Sequence, residues 1–286
     1  MKRNSGKRKL WRERFDILWS NALAKTGLVV IAIYLIVAFL GPFFVPFDPL
    51  EPDLPNTLKA PGFEHFFGTD EFGRDIFSRI IMGARISLFV GVATVIISFI
   101  LGTLLGAAAG FCGGTTDSII MRIMDIKLSF PDILLAIVVV TILGPGLQNV
   151  VLAVGVQSTP MFARMIRSTV LSVKEADYVL AARGLGADNM RILFKHVLPN
   201  CMAPMIVLGT LRIGTAIITA SGLSFLGLGA QPPTPEWGAM LASGRNYLRA
   251  ASWVSTIPGL AIMAVVFGFN VLGDGLRDAM DPRMKK

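Results

Sequence analysis

Charge is scarce in this chain: Asp, Glu, Lys and Arg make up only 16% of its 286 residues, against 53% hydrophobic. With a mean hydropathy of +0.64, that excludes an ordinary soluble domain, which needs far more polar surface to cover its core. Cysteine is nearly absent. Cys112 and Cys201 both fall at ends of apolar runs expected to face the cytoplasm, so no disulfide is implied. With two distant histidines, His65 and His196, they make no metal-site spacing. The G-x-x-x-x-G-K-[ST] phosphate loop is missing as well. If ATP drives this protein, another chain must hydrolyse it.

What the chain does have is apolar runs close to the roughly 20 helical residues that cross a bilayer. Six are present: Thr26–Pro46, Ile86–Phe111, a segment within Ser118–Leu143, Val150–Val170, Met202–Leu228 and Ser252–Leu272. The third is the weakest, because Pro131 and Asp132 interrupt it and Asp117 to Lys127 is amphipathic. The expected fold class is an all-α membrane protein with six transmembrane helices. The first run follows a long basic stretch and precedes no small-x-small cleavage site, only Gly41-Pro42-Phe43-Phe44. It reads as an uncleaved first helix rather than a signal peptide.

Charge sets the orientation. Six spans place both termini on one side, and the loops on that side carry 20 of the 27 Lys and Arg. The opposite loops hold 6 Lys and Arg against 8 Asp and Glu. Positive loops stay in the cytoplasm, so both termini are expected there. This also accounts for the net charge of +8 without nucleic acid. The expected organisation is a basic segment at 1–25, a first transmembrane helix at 26–46 and an external loop at 47–85. A five-helix core at 86–273, with an inner loop at 171–200, and a cytoplasmic tail at 274–286 complete it.

Three non-membrane stretches stand out. In the external loop, Asp48-Pro49-Leu50-Glu51-Pro52-Asp53 should be extended, and Asp70 can cap the turn leading into a short helix at Ile76–Ile81. That loop is either a surface for an external partner or a loop that simply needs its glycines and cap. In the inner loop, Tyr178–Arg183 reads as a short helix and Gly184-Leu185-Gly186 as a break. Asp188 or Asn189 caps a second helix, Met190–His196, which Leu198-Pro199 should end. The small residues Ala181, Ala182 and Gly186 allow close approach by a partner, with Arg183, Arg191 and Lys195 around them. A basic loop attracted to anionic lipid reads equally well. The third stretch, Gly229–Asn246, carries Pro232, Pro233 and Pro235, which enforce an extended path, and Trp237, which suits the membrane interface.

Within the spans, Gly102, Gly106 and Gly110 repeat the G-x-x-x-G spacing that lets membrane helices meet closely. The 13 methionines are scattered core and interface residues, not a metal path. If the third span is continuous from Ser118, Asp132 and Arg212 both lie deep in the bilayer, where charges are costly and usually paired. They either face the interior and form an intramembrane pair, or Asp132 sits near the inner interface because the third span begins later and Arg212 snorkels or faces a neighbouring subunit.

The inner loop resembles the EAA loop of binding-protein-dependent ABC permeases, which runs Glu-Ala-Ala, three residues, Gly, nine residues, Ile-x-Leu-Pro. Aligned on Leu198-Pro199, Ala181, Ala182 and Gly186 fall in register, while Leu180 replaces the acid and His196 the isoleucine. Tyr178-Val179-Leu180-Ala181-Ala182-Arg183 and His196-Val197-Leu198-Pro199-Asn200 are similar to the dipeptide/oligopeptide/nickel branch. The stretches Gly68–Gly91 and Leu223–Leu241 look like its second permease subunit, and the resemblance covers nearly the whole chain.

That resemblance implies a type I ABC importer permease fold in a five-part machine. A homologous permease pairs with this chain, and two ATPase subunits each receive one permease's inner loop. An external binding protein delivers the substrate. It implies import of dipeptides or oligopeptides, with nickel or glutathione as alternatives inside the family. A secondary transporter is the alternative of another class; it usually needs several intramembrane charges, which are few here.

Overall fold

The computed structural model describes residues 21–280. Among these the fold is helical, with one isolated bridge, Thr69 to Asp75, as its sole β pairing. Helix α1, Ala22–Leu40, starts where the Asn21 side chain accepts from the Leu23 and Ala24 amides. Gly41-Pro42-Phe43 closes it with a 3-10 turn. One face meets the rest of the fold through Ala24, Gly27, Ile31 and Ala38, while Leu23, Val29, Ile33, Ile36 and Phe39 point outward. A helix that is apolar all round fits a hydrocarbon solvent on its free side.

Helix α2, Ile76–Cys112, is 37 residues long, about 55 Å. That is far more than the roughly 30 Å of a bilayer core. The short helix expected at Ile76–Ile81 and the span expected at Ile86–Phe111 are therefore one element. Asp75, not Asp70, is its N-cap, accepting from the Ser78 amide at 2.8 Å. Asp70 instead closes the preceding turn, accepting from the Phe72 and Arg74 amides at 2.9 and 3.0 Å.

The third apolar run is broken. Helix α3, Gly114–Leu128, and helix α4, Asp132–Leu143, meet at 94° across Ser129–Pro131. Proline disfavours helical geometry in the residue before it, so Pro131 lets α4 begin but stops α3 from running on. Helix α5, Leu147–Val173, follows with Pro160 inside it. Then come α6, Asp177–Gly184, α7, Asn189–Phe225, α8, Trp237–Gly244, and α9, Trp253–Met280. By length and apolar character α1 with its 3-10 turn, α2, α7 and α9 can each cross a membrane, and the bent α3–α4 pair makes a fifth candidate.

Helix α7 corrects a second boundary. Leu198-Pro199 does not end a helix, because Leu193–Val197 widens into a π turn in which the Leu198 amide bonds the Leu193 carbonyl. Widening the ladder one turn ahead of Pro199 removes the clash its ring would make in a regular helix.

Helices α2 and α5 form the central pair. A Cβ on Gly102 would run into Phe162, and one on Gly106 into the Ala163 backbone. At Gly110 it would stand 3.0 Å from the Arg167 carbonyl and 3.1 Å from Val170. Small residues at all three positions bring the two backbones together, the main source of helix association in lipid. The pair α1–α9 uses the same device at Gly27, whose Cβ would meet the Leu272 amide at 2.7 Å.

Candidate functional site

Two places carry chemistry that packing alone does not need: the inner helix–turn–helix and the seam between α3 and α5. In the first, Val179 on α6 and Ile192 and Val197 at the start of α7 are fully buried against Ile166 and Val170 of α5. Lys174 ties the approach to α2, donating to the Gly110 carbonyl at 3.0 Å. The turn itself is closed by the Leu185, Gly186 and Ala187 amides bonding the Ala181, Arg183 and Ala182 carbonyls at 3.0, 3.0 and 3.1 Å. Gly186 takes φ +82°, cheap only without a side chain. Asp188 then caps α7, accepting from the Arg191 amide at 3.3 Å.

Large apolar side chains stand open on the outer surface of this unit, among the exposed charges of Asp177, Arg183, Asp188, Arg191 and Lys195. Leu185 is 90% exposed, and Tyr178, Leu180, Met190 and Phe194 lie open beside it. Ala181 and Arg183 are exposed and Ala182 half-buried on the same helix, and His196 sits half-buried on the π turn with Leu198. Pro199 is exposed. Large exposed apolar side chains concentrated in one short segment mark an interaction site. Sequence reading found the small residues, Tyr178 and Leu180 but missed Leu185, Met190 and Phe194, because in a chain this apolar a lone leucine in a loop carries no signal.

The seam between α3 and α5 is polar. Asp117 takes a two-pronged bond from Arg167, with Nε and Nη2 each 2.5 Å from a carboxylate oxygen. Asp125 pairs with Arg164 at 2.5 Å, and Lys127 donates to the Val156 carbonyl. That carbonyl is four residues before Pro160, whose missing N–H cannot serve it. Helix α3 buries only Met124, so these polar links hold it to α5.

Asp132 and Arg212 are not part of the seam. Asp132 is exposed at the first position of α4, past the break, and Arg212 is half-buried on α7. Among the described residues no ion pair or hydrogen bond joins them. The continuity that placed both at one depth is absent.

On the opposite end, the two loops at 44–75 and 226–252 lock into one body. Asp70 takes the Arg74 Nε at 2.7 Å and stands 3.4 Å from the Arg79 Nε. Arg79 donates to the Pro49 carbonyl at 2.7 Å and the Pro233 carbonyl at 3.4 Å. His65 Nδ1 lies 2.9 Å from Asp75. Trp237, expected at the membrane interface, is fully buried and donates to the Ile80 carbonyl at 3.1 Å. Its interior position follows from Gly83, where a Cβ would strike its indole at 2.7 Å.

Sequence comparison assigns these features to a family. Residues 102–286 match the binding-protein-dependent transport system inner membrane component. The chain belongs to that family. Residues 9–61 match the N-terminal transmembrane domain of oligopeptide transport permease C. The dipeptide transport system permease protein DppC of Alkalihalophilus pseudofirmus is 50% identical over 275 residues, 96% of this chain and 90% of that one. The glutathione transport system permease protein GsiD of Pectobacterium atrosepticum is 45% identical over 284 residues, covering 99% and 94%. In fold, a chain of the MetNI methionine ABC transporter in an inward-facing conformation superposes with TM-score 0.57 at 20% identity. It covers 72% of this permease and 98% of itself. Membership makes this permease an inner membrane transport component.

Proposed function

We propose that this chain is one of two permease subunits of an ATP-driven importer that takes up dipeptides or oligopeptides. Helix α5 then counts as the fourth of six spans: its 27 residues are long enough, Gln157 and Thr159 are buried in the core, and Arg164 and Arg167 turn toward α3. Both termini and the inner helix–turn–helix lie in the cytoplasm, and the locked loops face outside, where the binding protein delivers substrate.

The observation carrying this reading is the apolar surface around Leu185, exposed on a unit whose underside is anchored by Val179, Ile192 and Val197. Large exposed side chains beside Arg183 and Arg191 suit either a lipid surface or a protein partner, and membership of a binding-protein-dependent transport family favours the protein partner. The unit is then a docking element for a cytoplasmic ATPase subunit. ATP and Mg belong to that subunit, and closure of the ATPase pair moves the docked helices and biases the permease between two states. The peptide substrate is supported by relatives named for dipeptides; glutathione, itself a peptide, is the second reading, on the 45% identical relative.

Uptake of a radiolabelled dipeptide into proteoliposomes holding the full complex tests the proposal. It should require both ATP and the binding protein, and excess glutathione should leave it unaltered. Uptake driven by an ion gradient without ATP would point to a secondary transporter.

A further inference from the structure

A groove of about 610 Å³ runs between α1 and α2, with Leu147 of α5 at its floor. Its walls are Leu35, Ala38 and Phe39 on one side and Leu88, Phe89 and Val92 on the other. The single charged group lining it is Arg85. Gly41 at the end of α1 meets Ile81 near the start of α2, and Arg85 follows one turn further along α2. From there the groove descends to Val92, seven residues or about 10 Å along α2. Arg85 is exposed, and among the described residues it makes no hydrogen bond or ion pair.

We propose that this groove binds one anionic phospholipid, with the headgroup phosphate on the Arg85 guanidinium and an acyl chain over Phe39, Phe89, Leu35 and Val92. Three observations select that occupant. An arginine is costly inside a bilayer unless it reaches the headgroup level, and its planar fork matches a phosphate. No carboxylate lines the groove to receive an ethanolammonium, so a net negative headgroup fits better than a zwitterionic one. A helix of another subunit would meet small residues at a close crossing, whereas Ala38 is the one small residue among large, flexible apolar walls. The volume falls in the roughly 300–1,000 Å³ range of ligand sites. The proposal requires α1 and α2 to span a membrane, and it does not depend on the substrate proposed above.

Native mass spectrometry of the purified full complex, titrated with phosphatidylglycerol or phosphatidylethanolamine in detergent, tests it. The wild type should retain one phosphatidylglycerol that Arg85→Gln retains about fivefold less, the scale of one cation at a lipid surface. Val92→Trp, which fills the groove and keeps the charge, should lose it too. Phosphatidylethanolamine retention should not differ between wild type and Arg85→Gln. Equal phosphatidylglycerol retention by wild type and Arg85→Gln would overturn the site. Efficient cross-linking of a cysteine at Phe89 to the other permease would also overturn it, by placing protein in the groove. Lipid retention is read without transport, so these outcomes stand apart from the uptake result.

Discussion

Lys127 donates to the carbonyl of Val156, the acceptor that Pro160 leaves without its helical amide. A proline inside a membrane helix frees a carbonyl that must find another donor in a solvent that offers none. Here the donor comes from a different helix, so the proline site of α5 is also an attachment point for α3. The relationship can be tested by restoring the amide. Lys127→Met should lower the thermal stability of the purified complex by about 1 kcal/mol, the worth of one intramembrane hydrogen bond. In a Pro160→Ala background the same change should cost much less. Additive effects of the two substitutions would show that they do not share the carbonyl.

The two ion pairs of the same seam differ in exposure, and their worth should differ with it. The Asp117 and Arg167 side chains are 19% and 34% exposed, those of Asp125 and Arg164 56% and 48%. Exposed pairs contribute little. Asp117→Asn should therefore destabilise the complex more than Asp125→Asn, measured as the shift in melting temperature at low salt. The reverse order would mean that the exposed pair is shielded in the assembled complex.

Packing between α2 and α5 leaves no room at Gly106. Gly106→Leu should cost several kcal/mol, beyond the roughly 1–3 kcal/mol of ordinary overpacking, because the obstructing atoms are backbone. Gly222, beside which a Cβ meets nothing within 4 Å, is the control: Gly222→Ala should be neutral or slightly stabilising. Yield of folded protein by size-exclusion chromatography reads both.

Sidedness has its own test. A cysteine replacing Asp53, exposed in the loop at 44–75, should react with a membrane-impermeant maleimide on whole cells. One replacing Asn189, exposed on the inner unit, should react only after permeabilisation. Labelling at Asn189 from outside would contradict the six-span topology.

The helices were legible wherever an apolar run was long, and the inner helix–turn–helix was legible in its alternation of small residues, breaks and caps. Errors came where one residue's usual meaning was overridden by a partner far away in sequence. The short helix expected at Ile76–Ile81 is the first part of α2, and inside it Asp70, Pro49 and Pro233 satisfy Arg79. Pro199 looked like a stop, but a π turn absorbs it. Trp237 looked interfacial, and Gly83 and Ile80 hold it inside. Asp132 and Arg212 drew attention as intramembrane charges. The charges that meet are Asp117 with Arg167 and Asp125 with Arg164, on helices whose facing sides no periodicity reveals across a 94° break.

The central claim is that the inner helix–turn–helix transmits ATPase motion to the permease. The most direct measurement is ATP hydrolysis by the reconstituted complex, with and without the binding protein and dipeptide, for wild type, Leu185→Asp and Gly186→Val. Leu185→Asp places a charge in the exposed apolar surface and touches nothing in the membrane. Gly186→Val strains a φ of +82° where its Cβ would meet no neighbour within 4 Å. Both variants should insert and pair with the other permease, yet lose stimulated hydrolysis or shed the ATPase subunits on purification. Full stimulation and retained ATPase subunits in both variants would contradict the account.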